Sequence, residues 1–284
     1  MKLAFSTNAF KKYRLEKSIE IIGNIGYEGV ELLCDIPHAY PKNMNERSIQ
    51  NLKFLVEKSK MKISNLNAFT LYAISDVYHP SWIEHNDNFR NIRVDHTIEC
   101  IKMAKKLGAK NISTEPGGPI YENNVKLSNG EIKELKKKFF LGIEEVLPFA
   151  EKEKIKILIE PEPSLLLENS KDFLEFMKMF GPSDYLKLNF DIGHFYCVGE
   201  NLEATIYKLA DYIEHFHLED IGEDRVHKHL IPGTGSIDFQ SVFKAINEIG
   251  YRNFVTIELY PYQDNPKEAA EKSFGYIKKI LSDI

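Results

Sequence analysis

No apolar run of 18 residues occurs anywhere in this 284-residue chain, so no transmembrane helix is expected. Cysteine is scarce. Cys34, Cys100 and Cys197 are far apart and odd in number, which argues against a disulfide framework and for a reducing compartment. A basic excess is missing as well. The chain has 37 Lys and Arg against 42 Asp and Glu, a net charge of −5 and a pI of about 6.0. That balance carries no overall nucleic-acid footprint. There is no low-complexity tract and no Ser/Gly linker. The opening stretch Met1–Asn8, with Lys11, Lys12 and Arg14 close behind, is too short and too interrupted for a signal peptide. A cytoplasmic protein without a membrane or nucleic-acid partner is therefore expected.

What is present is an even alternation of short apolar runs and longer amphipathic stretches. The runs read as strands are Leu3–Phe10, Gly29–Asp35, Lys62–Phe69, Asn111–Gly117, Lys156–Pro163, Leu186–Asp191, Ile213–Leu218 and Phe254–Tyr260. The helical stretches between them are Leu15–Ile25, Asn45–Lys60, Phe89–Leu107, Glu131–Lys154, Lys171–Phe180, Leu202–Asp211, Phe239–Ile249 and Pro266–Leu281. Eight such units favour a parallel sheet closed into a (β/α)8 barrel, a TIM barrel, over an open doubly wound sheet. One barrel domain over residues 1–284 is expected. Gly26-Tyr27 and Gly250-Tyr251 share a pattern in which a helix ends on glycine and a strand follows. The longest non-periodic insert, Thr70–Asn88, holds the single tryptophan, Trp82. It follows the third strand and is expected on the catalytic rim, where it could cover a ligand.

Strand side chains alternate between faces, and in a barrel one face meets the helices while the other fills the interior. In the fifth run Ile157 and Ile159 oppose Leu158, Glu160 and Glu162. In the sixth, Leu186, Leu188 and Phe190 oppose Lys187, Asn189 and Asp191. In the seventh, Phe216 and Leu218 oppose His215 and His217. In the eighth, Val255, Ile257 and Leu259 oppose Thr256, Glu258 and Tyr260. The apolar faces belong against the helices, so the polar faces point inward. Bare charges at Glu160, Asp191, His217 and Glu258 would be costly to bury, and a divalent cation compensates them directly. The four make an oxygen-rich cage near the strand C-termini, where barrel active sites sit.

The same residues carry a resemblance. Leu158-Ile159-Glu160-Pro161, Asp191-Ile192-Gly193-His194, His215–Asp220, Ile231–Phe239 and Ile257-Glu258-Leu259 resemble, in order and spacing, the xylose isomerase-like barrel superfamily. That group includes sugar and sugar-phosphate isomerases, ketose 3-epimerases and, more distantly, endonuclease IV. The resemblance implies that Glu160, Asp191, His217 and Glu258 are metal ligands and that Glu160 and Glu258 are also the catalytic acid/base pair. The metal expected is Mn²⁺, with Mg²⁺, Co²⁺ or Zn²⁺ as alternatives. It implies that His194 faces substrate or a second metal and that Arg225 contacts substrate oxygens. The substrate is expected to be a small sugar or sugar phosphate, epimerised or isomerised through an enediolate. Barrels of this group are often homo-oligomers.

Other residues remain open at this stage. Glu162 stands where xylose isomerases have lysine and reads either as a substrate contact or as a rim carboxylate. His229, in the pair His227-x-His229, reads as a substrate contact or loop anchor. Gly233 and Gly235 could bind phosphate through backbone N–H groups or simply form a tight turn. His38, His79, His85 and His96 are expected at the surface, and His215 beneath the site. Asn8, Phe10, Glu31, Asn67, Phe69, Trp82 and Glu115 are candidates for the pocket wall. The competing functions are an endonuclease IV-type phosphodiesterase, an inosose dehydratase-like lyase, and a metal-binding protein without catalysis. The first demands a basic groove and additional metal histidines.

Overall fold

The computed structural model describes residues 1–122 and 125–283. Eight parallel strands close into a barrel: β1 (Lys2–Ser6), β2 (Gly29–Leu33), β3 (Lys62–Asn67), β4 (Asn111–Thr114), β5 (Lys156–Ile159), β6 (Leu186–Asp191), β7 (Ile213–Leu218) and β8 (Phe254–Ile257). Each pairs with its sequence neighbours, and β1 pairs with β8 through Lys2–Phe254 to Phe5–Ile257. The outer helices are α1 (Leu15–Ile25), α2 (Glu46–Lys58), α3 (Asp87–Leu107), α4 (Asn129–Glu153), α5 (Ser170–Phe180), α6 (Leu202–Leu209), α7 (Phe239–Glu248) and α8 (Pro266–Ser282). No helix among the described residues is long and apolar enough to cross a membrane.

Local chemistry explains where the helices begin and end. The side chains of Asn45, Asn86, Asn169, Asn201 and Asp238 accept first-turn N–H groups, and Ser128 forms a capping box with Glu131. Such caps satisfy donors that the helix itself leaves unpaired. At the other end Gly26 and Gly250 adopt φ of 111° and 73°, a backbone region that glycine reaches without strain. The Gly-Tyr repeat therefore marks two equivalent helix exits. Outward faces of the strands pack on the helices, as where Phe190 lies 4.3 Å from Phe195 and 5.3 Å from Phe216 between ring centroids.

Several strands are shorter than the sequence suggests. The first ends at Ser6 and continues as a 3-10 turn over Thr7–Phe10, with Ser6 as its cap. The fifth and eighth end at Ile159 and Ile257, one residue before Glu160 and Glu258. The barrel splays at its C-terminal rim, yet one further bond holds each glutamate. Glu160 N–H donates to the Thr114 carbonyl at 3.3 Å, and Glu258 N–H to that of Leu218 at 3.0 Å. A short helix, Ile192–Cys197, follows β6 directly and was not foreseen; Asp191 caps it.

The surface placement expected of His38 and His96 is incorrect. Both are buried, with His38 against the Tyr13 carbonyl and His96 stacked on Tyr40 and in contact with the Cys100 thiol. The expectation failed because the loop after β2 folds back over α3, and the local pattern does not register that fold.

The insert after β3 crosses the barrel mouth and is pinned from several sides. Asp35 accepts from Thr70 Oγ1, Tyr72 N–H and Ala73 N–H. Arg93, fully buried on α3, donates to the Pro80 and Ala68 carbonyls at 2.9 and 2.8 Å. Trp82 packs on Phe139 and donates to Thr114 Oγ1, and Glu115 accepts from Trp82 N–H. Trp82 and Glu115 are thus structural supports rather than pocket wall, and Phe10 is buried against Phe5 and Tyr13.

Candidate active site

Glu160, Asp191, His217 and Glu258 arrive from β5, β6, β7 and β8 and each offers one ligand atom within 4.8 Å of the others; all four are buried. His217 Nδ1 faces the other three. It lies 2.8 Å from Glu160 Oε1, 3.9 Å from Asp191 Oδ2 and 3.8 Å from Glu258 Oε2. Its Nε2 points the opposite way, 2.6 Å from Glu31 Oε2. Glu31 is itself held by Asn65 and Asn67 at 2.8 and 3.4 Å. Asn8 and Asn67 donate to Glu258 Oε1 at 2.7 and 3.0 Å. That leaves Glu258 Oε2 turned toward the cluster.

The electrostatics are unbalanced. Burial pushes the Glu160 carboxyl up and those of Glu258 and Glu219 well above the ordinary range. Asp191 feels the same burial, but nearby His194 and His229 outweigh it and hold the group below its ordinary value. His217 is opposed by burial yet held well above its usual value by Glu160 and Glu31. Burial also opposes the charge on Glu31, which His217 nevertheless keeps ionised down to about 2. Glu160 Oε2 and Asp191 Oδ2 are buried without a hydrogen-bond partner. Several carboxylates around one imidazole, two of them with an unpaired buried oxygen, fit a divalent cation. Mn²⁺, Mg²⁺, Co²⁺ and Zn²⁺ all accept such N and O donors.

Above the cluster a cavity of about 210 Å³ opens to the rim. Asn8, Asn67, Glu160, His194, His229 and Glu258 line its depth, and Phe69, Tyr72, Tyr78 and Tyr260 its mouth. His194 Nδ1 donates to the Pro161 carbonyl at 2.9 Å and His229 Nδ1 to that of Glu258 at 2.9 Å. These bonds leave each Nε2 free of the backbone, that of His194 lying 3.8 Å from Asp191 Oδ2. Burial lowers His194 to about 4 and His227 and His229 to about 3, so all three are neutral at pH 7. The Nε2 atoms of His227 and His229 are 3.0 Å apart. The ring atoms of His194, His227 and His229 form a second group of mutual neighbours within 4.8 Å.

Residues 19–280 match the family model described as xylose isomerase-like TIM barrel. The chain belongs to this family. A fructoselysine 3-epimerase from Shigella flexneri is 24% identical over 289 residues, covering 100% of this chain and 99% of that protein. An inosose dehydratase from Clostridium beijerinckii is 25% identical over 290 residues, covering 95% and 90%. Among solved structures, a D-tagatose 3-epimerase-like protein superposes with a TM-score of 0.81 at 25% identity, covering 99% of this chain and 97% of its own. The zinc-bound IOLI protein superposes with a TM-score of 0.80 at 20% identity, covering 100% and 99%. Full-length similarity to sugar epimerases and a dehydratase places this family member among enzymes.

Within this xylose isomerase-like barrel not every residue singled out from sequence reaches the cavity. Arg225 does not. It is exposed, adopts a φ of 56°, and its guanidinium lies 4.7 Å from the Tyr196 ring centroid and donates to the Tyr196 carbonyl. The loop after β7 turns its side chain back over the short helix instead of toward the barrel axis. Glu162 does reach the cavity, where it accepts from Tyr78 Oη at 2.8 Å and lies 3.7 Å from His227 Nδ1. The amides of Gly233 and Gly235 both donate to Asp220 Oδ2 at 2.8 Å, so they build a turn and are not free for phosphate.

Two functional neighbours escaped the sequence reading. Glu31 was one wall candidate among seven, with nothing to connect β2 to His217. Glu219 lies within the run His215–Asp220; it is fully buried, both its oxygens lack partners, and it sits within reach of Asp191 and His194. A signal existed for Glu219: it is two residues beyond His217 in the run His215–Asp220, on the inward face by strand alternation.

Proposed function

We propose that this protein is a divalent-metal-dependent epimerase or isomerase of a small, unphosphorylated sugar. The observation that carries the reading is the buried convergence of Glu160, Asp191, His217 and Glu258 beneath the cavity, with unpaired oxygens on Glu160 and Asp191. These four residues would hold the metal, which when bound supplies Lewis-acid polarisation of a substrate carbonyl and its neighbouring hydroxyl. The protein's own groups manage the proton. Glu160 and Glu258 follow the ends of different strands and each has an oxygen that the neighbouring side chains leave available. One takes the proton beside the carbonyl to give an enediolate, and the other returns one to complete epimerisation. Asn8 and Asn67 orient Glu258 through its other oxygen. Neutral His194 offers its Nε2 to a substrate hydroxyl, while His229 Nε2 is paired with His227 Nε2 at 3.0 Å. Buried Glu162, pushed well above its ordinary value, can offer an O–H.

Charge supports a substrate without phosphate. Among the described residues the cavity wall carries a single Lys or Arg, Lys11, which lies over the Tyr72 ring, and the two glycine amides are already engaged by Asp220. Phosphate sites are normally built from Arg, Lys or free amides. The full-length relatives that act on fructoselysine and inosose, by their names, are consistent with this substrate class.

The test is metal content by elemental analysis, wild type beside Glu258→Gln and His217→Ala, followed by a screen of ketoses and ketose phosphates for 3-epimerisation. About one metal per chain, reduced in both variants, with turnover of free ketoses, is the expected result. No metal taken up by any preparation overturns the reading. A second reading, multi-metal phosphodiester hydrolysis, is favoured by one observation, the proximity of His194, His227 and His229. Two or three zincs per chain would select it.

A further inference from the structure

The opposite end of the barrel carries a second hollow, of about 820 Å³, nearly four times the volume of the cavity above the metal ligands. Strand starts build it. Lys2, Lys62 and Lys156 are the first residues of β1, β3 and β5, and Lys110 immediately precedes β4. Lys53, Lys60 and Arg252 bring the cationic residues lining it to seven, and the carboxylates lining the hollow are Glu57 and Glu214. Glu214 is engaged by Lys156. The other six cations form no ion pair with a carboxylate among the described residues. This concentration stands on a chain whose net charge is −5. The floor is apolar in part, and Lys2 lies 5.7 Å from the Phe254 ring centroid. His215, buried and two residues before His217 in β7, also lines it.

Same-sign charges gathered around a concave surface repel one another and focus a positive potential into the space they enclose. A multivalent anion offsets that repulsion. The volume falls within the range of small-molecule sites, roughly 300–1,000 Å³, and the enclosure suits a compact ligand better than an extended duplex. We propose that this basal hollow is a binding site for a small oligophosphate anion, a nucleoside triphosphate or its inorganic equivalent, separate from the active site on the other face.

Isothermal titration of the metal-loaded protein with sodium triphosphate, and separately with ATP, tests this. Saturable binding near 1:1 is expected, weakened as ionic strength rises because the contacts are charge–charge. In the Lys62→Glu/Lys110→Glu variant affinity should fall at least tenfold. Heat from metal chelation is common to both proteins and cancels in that comparison. Both residues lie outside the catalytic cavity, so sugar turnover without anion is unchanged. Lys53→Gln/Lys60→Gln, on exposed positions, gives a second reduction if the first variant folds poorly. Tighter binding of ATP than of triphosphate assigns the apolar wall to a base; equal binding assigns the site to the phosphates alone. Failure of both probes to bind, affinity unchanged by both variants, or preference for a short DNA duplex over triphosphate overturns the proposal. The readout is binding, so it is independent of whether the sugar chemistry proposed above is correct.

Discussion

The Nε2 atom of His217 lies 2.6 Å from Oε2 of Glu31, although 186 residues separate them in the chain. A carboxylate at that position fixes the imidazole's orientation and keeps its proton on Nε2, which leaves Nδ1 for the cluster on the other side. Glu31→Gln removes the charge and keeps the volume. Metal affinity is expected to fall by about 10–100-fold, the usual effect of losing such a support, with little change in fold. Competition with a chelating dye measures it, and an unchanged affinity would show that Glu31 does not position His217.

Gly193 has a different reason to be glycine. A Cβ there would stand 1.7 Å from Glu219 Oε1 and 3.0 Å from Ile221 Cγ1. Glu219 is fully buried and grouped with Asp191 and His194, so a shift of its carboxylate is felt by both. Gly193→Ala is expected to cost about 1–3 kcal/mol of stability by overpacking and to lower kcat/KM. Chemical denaturation together with steady-state kinetics would reveal it. A variant as stable and active as wild type would mean that the contact relaxes freely.

Arg93 ties the rim insert to the barrel through two backbone carbonyls. Arg93→Met keeps most of the buried volume and deletes both charge-assisted bonds. Losing them is expected to destabilise the protein by roughly 3 kcal/mol and to speed proteolysis within residues 70–86 before the rest of the chain. Cleavage that begins elsewhere would argue against this anchor.

Acid sensitivity has a source outside the active site. Burial lowers the His38 imidazole below its ordinary 6.5, against the pull of the Tyr13 carbonyl at 3.2 Å. As pH falls, the unfolded chain takes up this proton before the folded one. The contribution of neutral His38 is therefore complete above pH 6.5 and is lost on acidification below it. The stability difference between wild type and His38→Gln should shrink from pH 7.5 to pH 5. A gap that widened over that range would contradict the buried neutral histidine.

Much of this architecture was legible before any coordinates. Period-two alternation in Lys156–Ile159, Leu186–Asp191, Ile213–Leu218 and Phe254–Ile257 assigned inward and outward faces from adjacent residues alone. Asn, Ser, Asp and Gly at helix ends act within a few positions of themselves, so eight helices could be bounded to within a few residues. The convergence of Glu160, Asp191, His217 and Glu258 follows once those four strands lie side by side. Strand ends were less legible, because the rim where β5 and β8 stop is set by barrel closure.

Tertiary structure alone decided the rest. Closure carries Asn8, just beyond β1, and Glu31, Asn65 and Asn67 of β2 and β3 across the interior to residues late in the chain, and no local pattern encodes a contact 250 residues long such as Asn8 with Glu258. The path of irregular backbone is also nonlocal. Arg225 is turned out onto Tyr196, His38 and His96 are turned in, and the glycine amides after β7 are claimed by Asp220. Strand and helix identity comes from side-chain period and capping, which neighbouring residues settle. Which loop side chain enters the cavity depends on hydrogen bonds and packing between distant segments, and those exist only in the closed barrel.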